Sequence, residues 1–565
     1  MQADANQDEH SEPSSLASGE RGLVPPNSCS STESANMQAM AALDAGNERV
    51  YDIVIFAASG SVGRFLVEEL ALVVEKYYSS QQDHATTVNR QSTRELRDPS
   101  IQFAQIRRGS VPKPMAGIKW AIAGRSAVKL SEALCRAELS TGIRDLSLQV
   151  PCLLADLNHH RSLLDLCSKT KLIINCAGPY IVDGETVIKA CLETGTNYVD
   201  FAYETTFIER IRQEYSDRAR KAGIYVINGC GFQSMSAEMG LNFAKQLVDG
   251  QIEEMKIILN LSHSIAARPS GSGTRSKPSG IVTYGMWCSF ITEQAQKYIR
   301  NSEVRKRSKM NPTESIGDKG PRALHRKDTQ SLVRDVVEFR NRKPLDWLQL
   351  FKGFDECGRR FCLPIDGVTS EEYQLIMGEM GTYEYMKPDL ASIDGWRPIR
   401  CTSFISLKSI SEIIVLLIWL FIFNILVKFS LARKIMKAFP SISSLGHVSD
   451  ASQELDRESL SHIKFCQTFL AYGTPGENSG DPLEQRRKDI KRKQEQLLVT
   501  RIVGPEPNHI ATATYAIQAA LTLLLEKDNL PPDGGVFTPG SALADTNIIY
   551  QLRRRNIKFE VMKKA

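Results

Sequence analysis

The feature that most limits the fold of this chain is an alternation, between residues 50 and 230, of short apolar runs with longer amphipathic segments. The runs are too short for helices and are apolar on both faces, as strands buried on both sides are. Six such runs are present, at 51–56, 119–123, 150–154, 172–175, 197–201 and 224–227. The segments between them predict helices at about 62–77, 126–138, 159–168, 183–194 and 205–222. Strands alternating with helices predict an α/β fold, a doubly wound parallel sheet with helices on both faces.

Changes in composition along the chain predict its domain boundaries. Residues 1–48 are polar without an apolar period, so we expect a disordered tail that is neither a secretory signal nor a mitochondrial transit peptide. The parallel sheet accounts for 49–248, interrupted by a polar surface loop at 79–117. Residues 249–505 predict a second, α+β domain, and 506–565 a C-terminal helix and strand that return to the core.

Charge and cysteine spacing exclude several classes of protein. The 565 residues include 70 basic and 65 acidic side chains, a net charge of +5, which argues against a nucleic-acid partner. Twelve cysteines are scattered without a C-x-x-C pair. This spacing predicts neither a zinc site nor a disulfide framework, so we expect reduced thiols and no bound metal.

An uncharged stretch of fifteen residues, IIVLLIWLFIFNILV at 413–427, stands out from the rest of the chain. It is short for a perpendicular membrane span, which needs about 20 apolar residues. It also lacks the polar stripe of an ordinary surface helix, and several lysines and arginines follow it. These features favour a short hydrophobic helix that inserts into one monolayer or lies at the interface of a cytosol-facing membrane. A helix packed in the core and a complete span are the alternatives.

The turn after the first predicted strand has the pattern of a phosphate-binding loop. It reads Ala57-Ala58-Ser59-Gly60-Ser61-Val62-Gly63, between a strand and a helix. Glycines let backbone N–H groups approach a pyrophosphate, which the positive end of the helix attracts. The predicted cofactor-binding residues here are Ala58, Ser59, Gly60, Ser61, Val62 and Gly63. The alternative is a plain strand-to-helix turn.

Residues after three further strands add to this predicted dinucleotide site. Arg125 follows the second strand, where an acidic residue would select NAD(H) and an arginine accommodates the 2′-phosphate of NADP(H). NADP(H) is therefore favoured over NAD(H), unless Arg125 is only a surface residue. Asp156 either meets the adenine end of the cofactor or caps the next helix. Gly178 and Pro179 either lie near the nicotinamide or form a structural turn.

Taken together, these motifs resemble the saccharopine dehydrogenase-like oxidoreductases. The resemblance rests on YDIVIFAASGSVG, WAIAGRS, NCAGPYIVDGETVIKACLETGTNYVD, GFQSMSAEMG and VGPE…GGVFTPG, and it covers the chain from about residue 50 to the end. It implies a Rossmann NAD(P)-binding domain, a second domain closing over the cofactor, and association with lipid droplets or membranes. It also implies a role in glycolipid or other lipid metabolism.

The chain departs from the family pattern at three places. Ala57 replaces the first glycine of the turn, Tyr203-Glu204-Thr205 replaces Gly-Glu-Pro, and Gln233 replaces an aspartate. If Ala57 needs a positive φ, its Cβ costs about 1–2 kcal/mol. A neutral amide at Gln233 cannot act as a base.

The catalytic residues are not evident from the sequence. Weak candidates are Tyr180 and Glu204, with Asp183 and Glu185 nearby, and for each a structural role, such as packing or a favourable charge at a helix start, is the better explanation. We therefore expect an NADP(H)-dependent reductase acting on a lipid-like substrate at a lipid surface. The alternative is a catalytically silent scaffold that keeps the fold. The sequence leaves a homo-oligomer open.

Overall fold

The structure is a computed structural model. It describes residues 49–84, 117–248, 250–263, 282–310, 349–351, 360–364, 399–407, 410–446, 448, 455–475 and 495–564. The predicted tail at 1–48 and most of the predicted loop at 79–117 lie outside the described residues. The beginning of that loop was predicted wrongly, because the first helix continues to His84.

One of the two described sheets is parallel and has seven strands, six from the first half of the chain and one from near its end. It confirms the predicted doubly wound fold. Its order is β13-β6-β5-β4-β1-β2-β3, with all neighbours parallel. The strands are β1 (Tyr51–Phe56), β2 (Trp120–Gly124), β3 (Cys152–Leu154), β4 (Thr170–Asn175), β5 (Asn197–Asp200), β6 (Tyr225–Ile227) and β13 (Gly535–Phe537). The strand order reverses between β1 and β4, which is where open α/β sheets bind their ligands.

Helices follow the strands as the periodicity predicted. They are α1 (Gly63–His84), α2 (Ala127–Thr141), α3 (Leu146–Gln149), α4 (His160–Ser168), α5 (Tyr180–Thr194), α6 (Thr205–Lys221) and α7 (Phe232–Leu247). Ser126 caps α2 by accepting from the Lys129 N–H at 3.4 Å. Helix α5 begins three residues before its predicted start, because Pro179 has the fixed φ, −71°, that suits a helix entry.

A second, mixed sheet also has seven described strands, in the order β14-β12-β11-β7-β10-β9-β8. Strands β7 and β10 are parallel and the other neighbours are antiparallel. The strands are β7 (Gly250–His263), β8 (Gln349–Phe351), β9 (Arg360–Pro364), β10 (Arg400–Leu407), β11 (Ile463–Pro475), β12 (Glu495–Pro505) and β14 (Lys558–Lys564).

The C-terminal residues contribute to both sheets. β13 pairs with β6 and β14 pairs with β12. The helices of this half of the chain are α8 (Tyr284–Met310), α9 (Ile410–Leu426), α10 (Ser430–Ala438), α11 (Pro440–Ser443), α12 (Arg457–Leu460), α13 (Thr512–Leu525), α14 (Pro539–Ala542) and α15 (Ile548–Arg553). Since Glu48–Ala565 forms one compact unit, the domain boundaries at 248 and 505 stay predictions.

The uncharged segment predicted at 413–427 forms α9, which is neither wholly buried nor wholly exposed. Ile413, Phe423 and Val427 are buried, and the last two pack against Trp287 and Ile291 of α8. The remaining face exposes large side chains, and Phe421 is 68% exposed. Within the described part of the chain, no helix is both long and apolar enough to cross a membrane.

Candidate functional site

A cavity of about 340 Å³ opens at the carboxyl ends of the parallel strands. The loops after β1, β4, β5 and β6 line one side of it. The beginning of α8 and a π-helix, Pro507–Ala511, line the other side. This is the position and size at which α/β sheets hold small ligands.

The turn after β1 borders the cavity and leads directly into α1, and its predicted role in binding phosphate stays a prediction. Gly60, Ser61 and Val62 line the cavity where α1 begins, and the Gly60 N–H bonds back to the Ala57 carbonyl at 3.0 Å. Ala58 and Gly63 are buried behind the turn, and Ser59 is half-buried. Ala57 adopts φ = 59°, the left-handed conformation that glycine adopts without strain, so the structure shows the condition under which its Cβ costs energy.

Gly63 is required because α1 approaches the turn closely. A Cβ at this position would lie 2.6 Å from the Ala57 carbonyl oxygen and 2.8 Å from that of Ala58. We expect Gly63→Ala to lower the free energy of unfolding by about 2–3 kcal/mol, since backbone atoms would have to shift. Urea denaturation measures this loss. The matched control is Gly285→Ala, whose Cβ would lie 3.9 Å from its nearest neighbour; equal stability of the two variants would contradict the prediction.

The two residues predicted for the adenosine end lie beyond the cavity lining. Arg125 is exposed at the end of β2, and its charge acts on Asp183 of α5. Burial raises the pKa of the Asp183 carboxyl, and Arg125 partly offsets this. The Asp156 carboxylate accepts the Asn158 N–H at 2.9 Å, a local turn that precedes α4. The N-cap residue of α4 is His159, without a side-chain cap hydrogen bond, so the structure does not show the predicted capping by Asp156, and its role at the adenine end stays a prediction.

Gly178 and Tyr180 line the cavity, and Pro179 lies between them at the entry to α5. The Tyr180 hydroxyl donates to the Asn175 carbonyl at 2.9 Å. Burial, with the nearby Asp200 charge, raises the pKa of this hydroxyl well above its ordinary value. Tyr180 therefore keeps its proton and donates it to a backbone carbonyl rather than into the cavity, which argues against a role as the acid of a reaction.

Glu204, the second catalytic candidate, is fully buried and does not belong to the cavity lining described. Its two oxygens accept the N–H groups of Tyr180 and Tyr203, each at 3.1 Å. Burial raises the pKa of this carboxyl. The related Glu293 on α8 accepts from the Thr205 N–H at 3.0 Å. These carboxylates hold the loops and α8 in place, so Glu204 has a positioning role.

A buried polar network that the sequence reading missed connects the loops of the cavity. The Asp200 carboxylate accepts from the Ala202 and Gly229 N–H groups at 3.0 and 2.9 Å. It also accepts from Tyr198 Oη at 3.0 Å and Asn228 Nδ2 at 2.8 Å. Burial raises its pKa. The available signal was a polar residue at the end of β4, of β5 and after β6: Asn175, Asp200 and Asn228.

A buried glutamate–histidine pair at the π-helix, Glu506 and His509, was also not predicted from the sequence. Glu506 is fully buried and accepts the N–H groups of Asn508, His509 and Ile510 at 2.9, 2.7 and 3.2 Å. Its Oε2 lies 3.3 Å from Nδ1 of His509, which lines the cavity. Single-turn π-helices often occur at functional sites. The sequence predicts only a C-terminal helix within 506–565, without this pair.

Gln233 presents a polar atom to the same cavity. The residue lines it at the beginning of α7, and its buried Oε1 has no hydrogen-bond partner in the described structure. Buried polar atoms rarely lack partners, so an orphaned atom on a cavity wall indicates a place where a ligand donates. The departure from the family aspartate therefore still leaves a ligand-facing acceptor.

The chain is similar to one family model and to several known proteins. Residues 113–227 match a family model described as the saccharopine dehydrogenase NADP binding domain. A human saccharopine dehydrogenase-like oxidoreductase is 27% identical over 523 residues, 92% of this chain and 99% of that protein. A lipid droplet localized protein of Caenorhabditis elegans is 26% identical over 512 residues, 90% of this chain and 98% of that protein.

Among solved structures, apo saccharopine dehydrogenase (L-Glu forming) of Saccharomyces cerevisiae aligns with a TM-score of 0.43 and 10% identity, over 91% of this chain and 100% of that one. The family model covers Arg125, Asp156 and Gly178 but begins after the turn that follows β1. The similarity to the curated relatives spans nearly their whole length and includes that turn. The chain is therefore similar over nearly its whole length to saccharopine dehydrogenase-like oxidoreductases at 26–27% identity, and residues 113–227 match the saccharopine dehydrogenase NADP binding domain.

Proposed function

We propose that this protein is an NADP(H)-dependent oxidoreductase that acts on a lipid-like substrate at a lipid droplet or membrane surface. The observation that carries the proposal is the cavity at the strand switch point. There the glycine turn and the N-terminus of α1 meet the loops that follow β4, β5 and β6. A pyrophosphate on the turn would extend a nicotinamide toward those loops.

The residues present fit the cofactor. The close approach at Gly63 and the exposed Gly60 leave the turn bare of side chains on the side where phosphate oxygens would bind. Arg125 would hold the 2′-phosphate, and the unpartnered oxygen of Gln233 would accept from the nicotinamide half or the substrate. Bound there, the cofactor supplies or accepts a hydride. The protein binds it, orients it and excludes water.

Several apolar side chains of the cavity wall favour an uncharged, apolar substrate. Phe201, Phe232, Tyr284 and Met286 contribute aromatic and aliphatic surface to the cavity. The hydroxyl of Tyr203 donates to the Met286 carbonyl, which joins α8 to the loop after β5. Burial raises the pKa values of Tyr203 and of the cavity thiol Cys176, so both are neutral. Such walls bind hydrocarbon better than the charged groups of an amino acid.

The surface of α9–α11 supports the second half of the proposal. We define the apolar platform as the exposed hydrophobic side chains between residues 414 and 445. It includes Ile418, Phe421 and Ile442, which are 55%, 68% and 77% exposed. Exposed apolar patches of this kind mark sites of interaction, and Lys428 and Lys434 would face anionic headgroups. One relative is named as localized to lipid droplets.

The experiment that tests the proposal is a fluorescence titration of the purified protein with NADPH and NADH. We expect NADPH to bind with a micromolar Kd, and Arg125→Ala to weaken this binding at least tenfold, because one charge-assisted contact contributes about 1.5–3 kcal/mol. NADH binding should change less than twofold. Lys129→Ala, an exposed cation one turn along α2, is the control.

The alternative function, a silent lipid-surface scaffold, predicts a different result. Ala57 in a left-handed conformation and the loss of a carboxylate at Gln233 favour it. Absence of binding by both NADPH and NADH at millimolar concentration would exclude the oxidoreductase proposal and leave the scaffold.

A further inference from the structure

Glu506 and His509 form a buried pair just before α13. Helix α13 is preceded by a π-helix whose first turn wraps around a fully buried carboxylate. Three backbone N–H groups fix that carboxylate, which in turn lies 3.3 Å from one nitrogen of a histidine that is 1% exposed. A buried charge held this closely usually orients a partner.

The position of the ring directs its other nitrogen to the cavity. Nδ1 faces Glu506, the Phe65 ring lies 5.2 Å from the imidazole on the α1 side, and His509 forms part of the cavity wall. The two nitrogens of an imidazole lie on opposite edges of the ring. Nε2 is therefore the nitrogen available to a ligand in the cavity.

A buried negative charge lies beside His509. Burial alone would raise the pKa of Glu506, but the contact with His509 and the backbone donors lower it, so Glu506 is an anion at neutral pH. The cavity lining includes Arg64 and the neutral hydroxyls of Tyr180, Tyr203 and Tyr284. Other charged side chains on the packed elements lie outside that lining: Glu68, Glu69, Glu238, Lys245 and Arg501.

We infer that His509, positioned by Glu506, is the residue that exchanges a proton with the substrate at the reacting end of the cavity. This inference rests on the proposed function. When a carbonyl substrate accepts a hydride from the reduced dinucleotide, its C=O π pair passes to oxygen, and that oxygen takes the proton from Nε2. The imidazolium becomes a neutral imidazole, which regains a proton from water. Glu506 is a positioning residue.

The inference is tested by binding, without a known substrate. The oxidised nicotinamide ring carries a positive charge and the reduced ring does not, so a protonated His509 beside the ring repels NADP⁺ only. Between pH 8 and pH 5.5 we expect the ratio Kd(NADP⁺)/Kd(NADPH) to rise by about tenfold in the wild type, a change within reach of two charges about 5 Å apart. Titration of the 2′-phosphate affects both cofactors and cancels in the ratio.

In His509→Gln the ratio should stay within twofold over this pH range. His462→Gln, which removes an exposed histidine, should behave as the wild type. In Glu506→Gln the rise should be smaller than in the wild type, since the carboxylate that contacts Nδ1 and orients the ring is gone. A flat ratio in the wild type, or an unchanged rise in His509→Gln, overturns the inference.

Wild-type calorimetry keeps the test independent of variants that fail to fold. In two buffers of different ionisation enthalpy near pH 6.5, NADP⁺ binding should release more protons than NADPH binding. Equal proton release by the two cofactors overturns the inference. Failure of the wild type to bind either cofactor overturns the proposed function, and the inference with it, whereas normal binding with a pH-independent ratio overturns the inference alone.

Discussion

Replacement of Asp200 by alanine is expected to lower the free energy of unfolding by about 3–5 kcal/mol, the cost of removing one partner from a buried charged network. Four donors converge on this carboxylate at 2.8–3.0 Å: two backbone N–H groups, a tyrosine hydroxyl and an asparagine amide. Without it they stay buried and lack an acceptor, and each such group costs about 1–3 kcal/mol. Urea denaturation followed by circular dichroism measures the change.

Two variants define how the Asp200 result is interpreted. Asp200→Asn keeps the shape and one accepting oxygen, so we expect about half the loss. Asp217→Ala removes a carboxylate that is 87% exposed and pairs with Arg220 on the surface of α6, so it should change stability by less than about 0.5 kcal/mol. A stable Asp200→Ala protein would show that the network does not hold the cavity loops. NADPH affinity should fall with stability, because the loops at 202 and 229 lose their anchor.

The second large effect concerns the apolar platform. Ile418→Asp combined with Phe421→Asp should reduce binding to triglyceride droplets coated with phosphatidylcholine by at least about 100-fold. Burial of each apolar side chain contributes about 1.5–3 kcal/mol, and a carboxylate must also avoid the apolar phase. Both side chains are more than half exposed, so folding should be preserved. Flotation of the full-length protein with the droplets measures the bound fraction.

Point substitutions test the platform better than deletion of the segment. Deletion would also remove Phe423 and Val427, which pack against Trp287, and would disrupt α8 at the cavity. The matched control is Val128→Asp with Leu139→Asp, which places two charges at apolar positions that are 68% and 87% exposed on α2. Equal flotation of the platform variant and this control would show that the lipid surface, if any, lies elsewhere.

Local periodicity accounts for most of the fold that could be predicted. The first strand was predicted at its observed bounds, Tyr51–Phe56, because six consecutive residues are suited to a buried strand. A strand within 506–565 was predicted to return to the core, but its place beside β6 could not be predicted, since three residues carry no period and β6 is about 300 residues away in the chain. The C-terminal helix predicted within 506–565 is preceded by a π-helix, Pro507–Ala511, which was not predicted from the sequence.

Several residues of the candidate site could also be recognised from the local sequence, but their roles could not. Gly60 and Gly63 could be recognised because the phosphate turn is a continuous motif with a fixed order of strand, turn and helix. Tyr180 was recognised by its place after β4, but only its hydrogen bond to Asn175 showed that its proton is engaged. Likewise, Glu204 was recognised by its place after β5, but only its burial showed a positioning role.

The sequence by itself determined the strands and helices of the parallel sheet, the glycine turn between β1 and α1, and the presence of an apolar helix, because each depends on residues close together in the chain. Only the tertiary structure decided which polar groups meet. His509 and Gly60 lie about 450 positions apart yet line one cavity, and α8 contacts both that cavity and the helix beneath the platform. Such contacts depend on packing between distant segments, which no local period encodes.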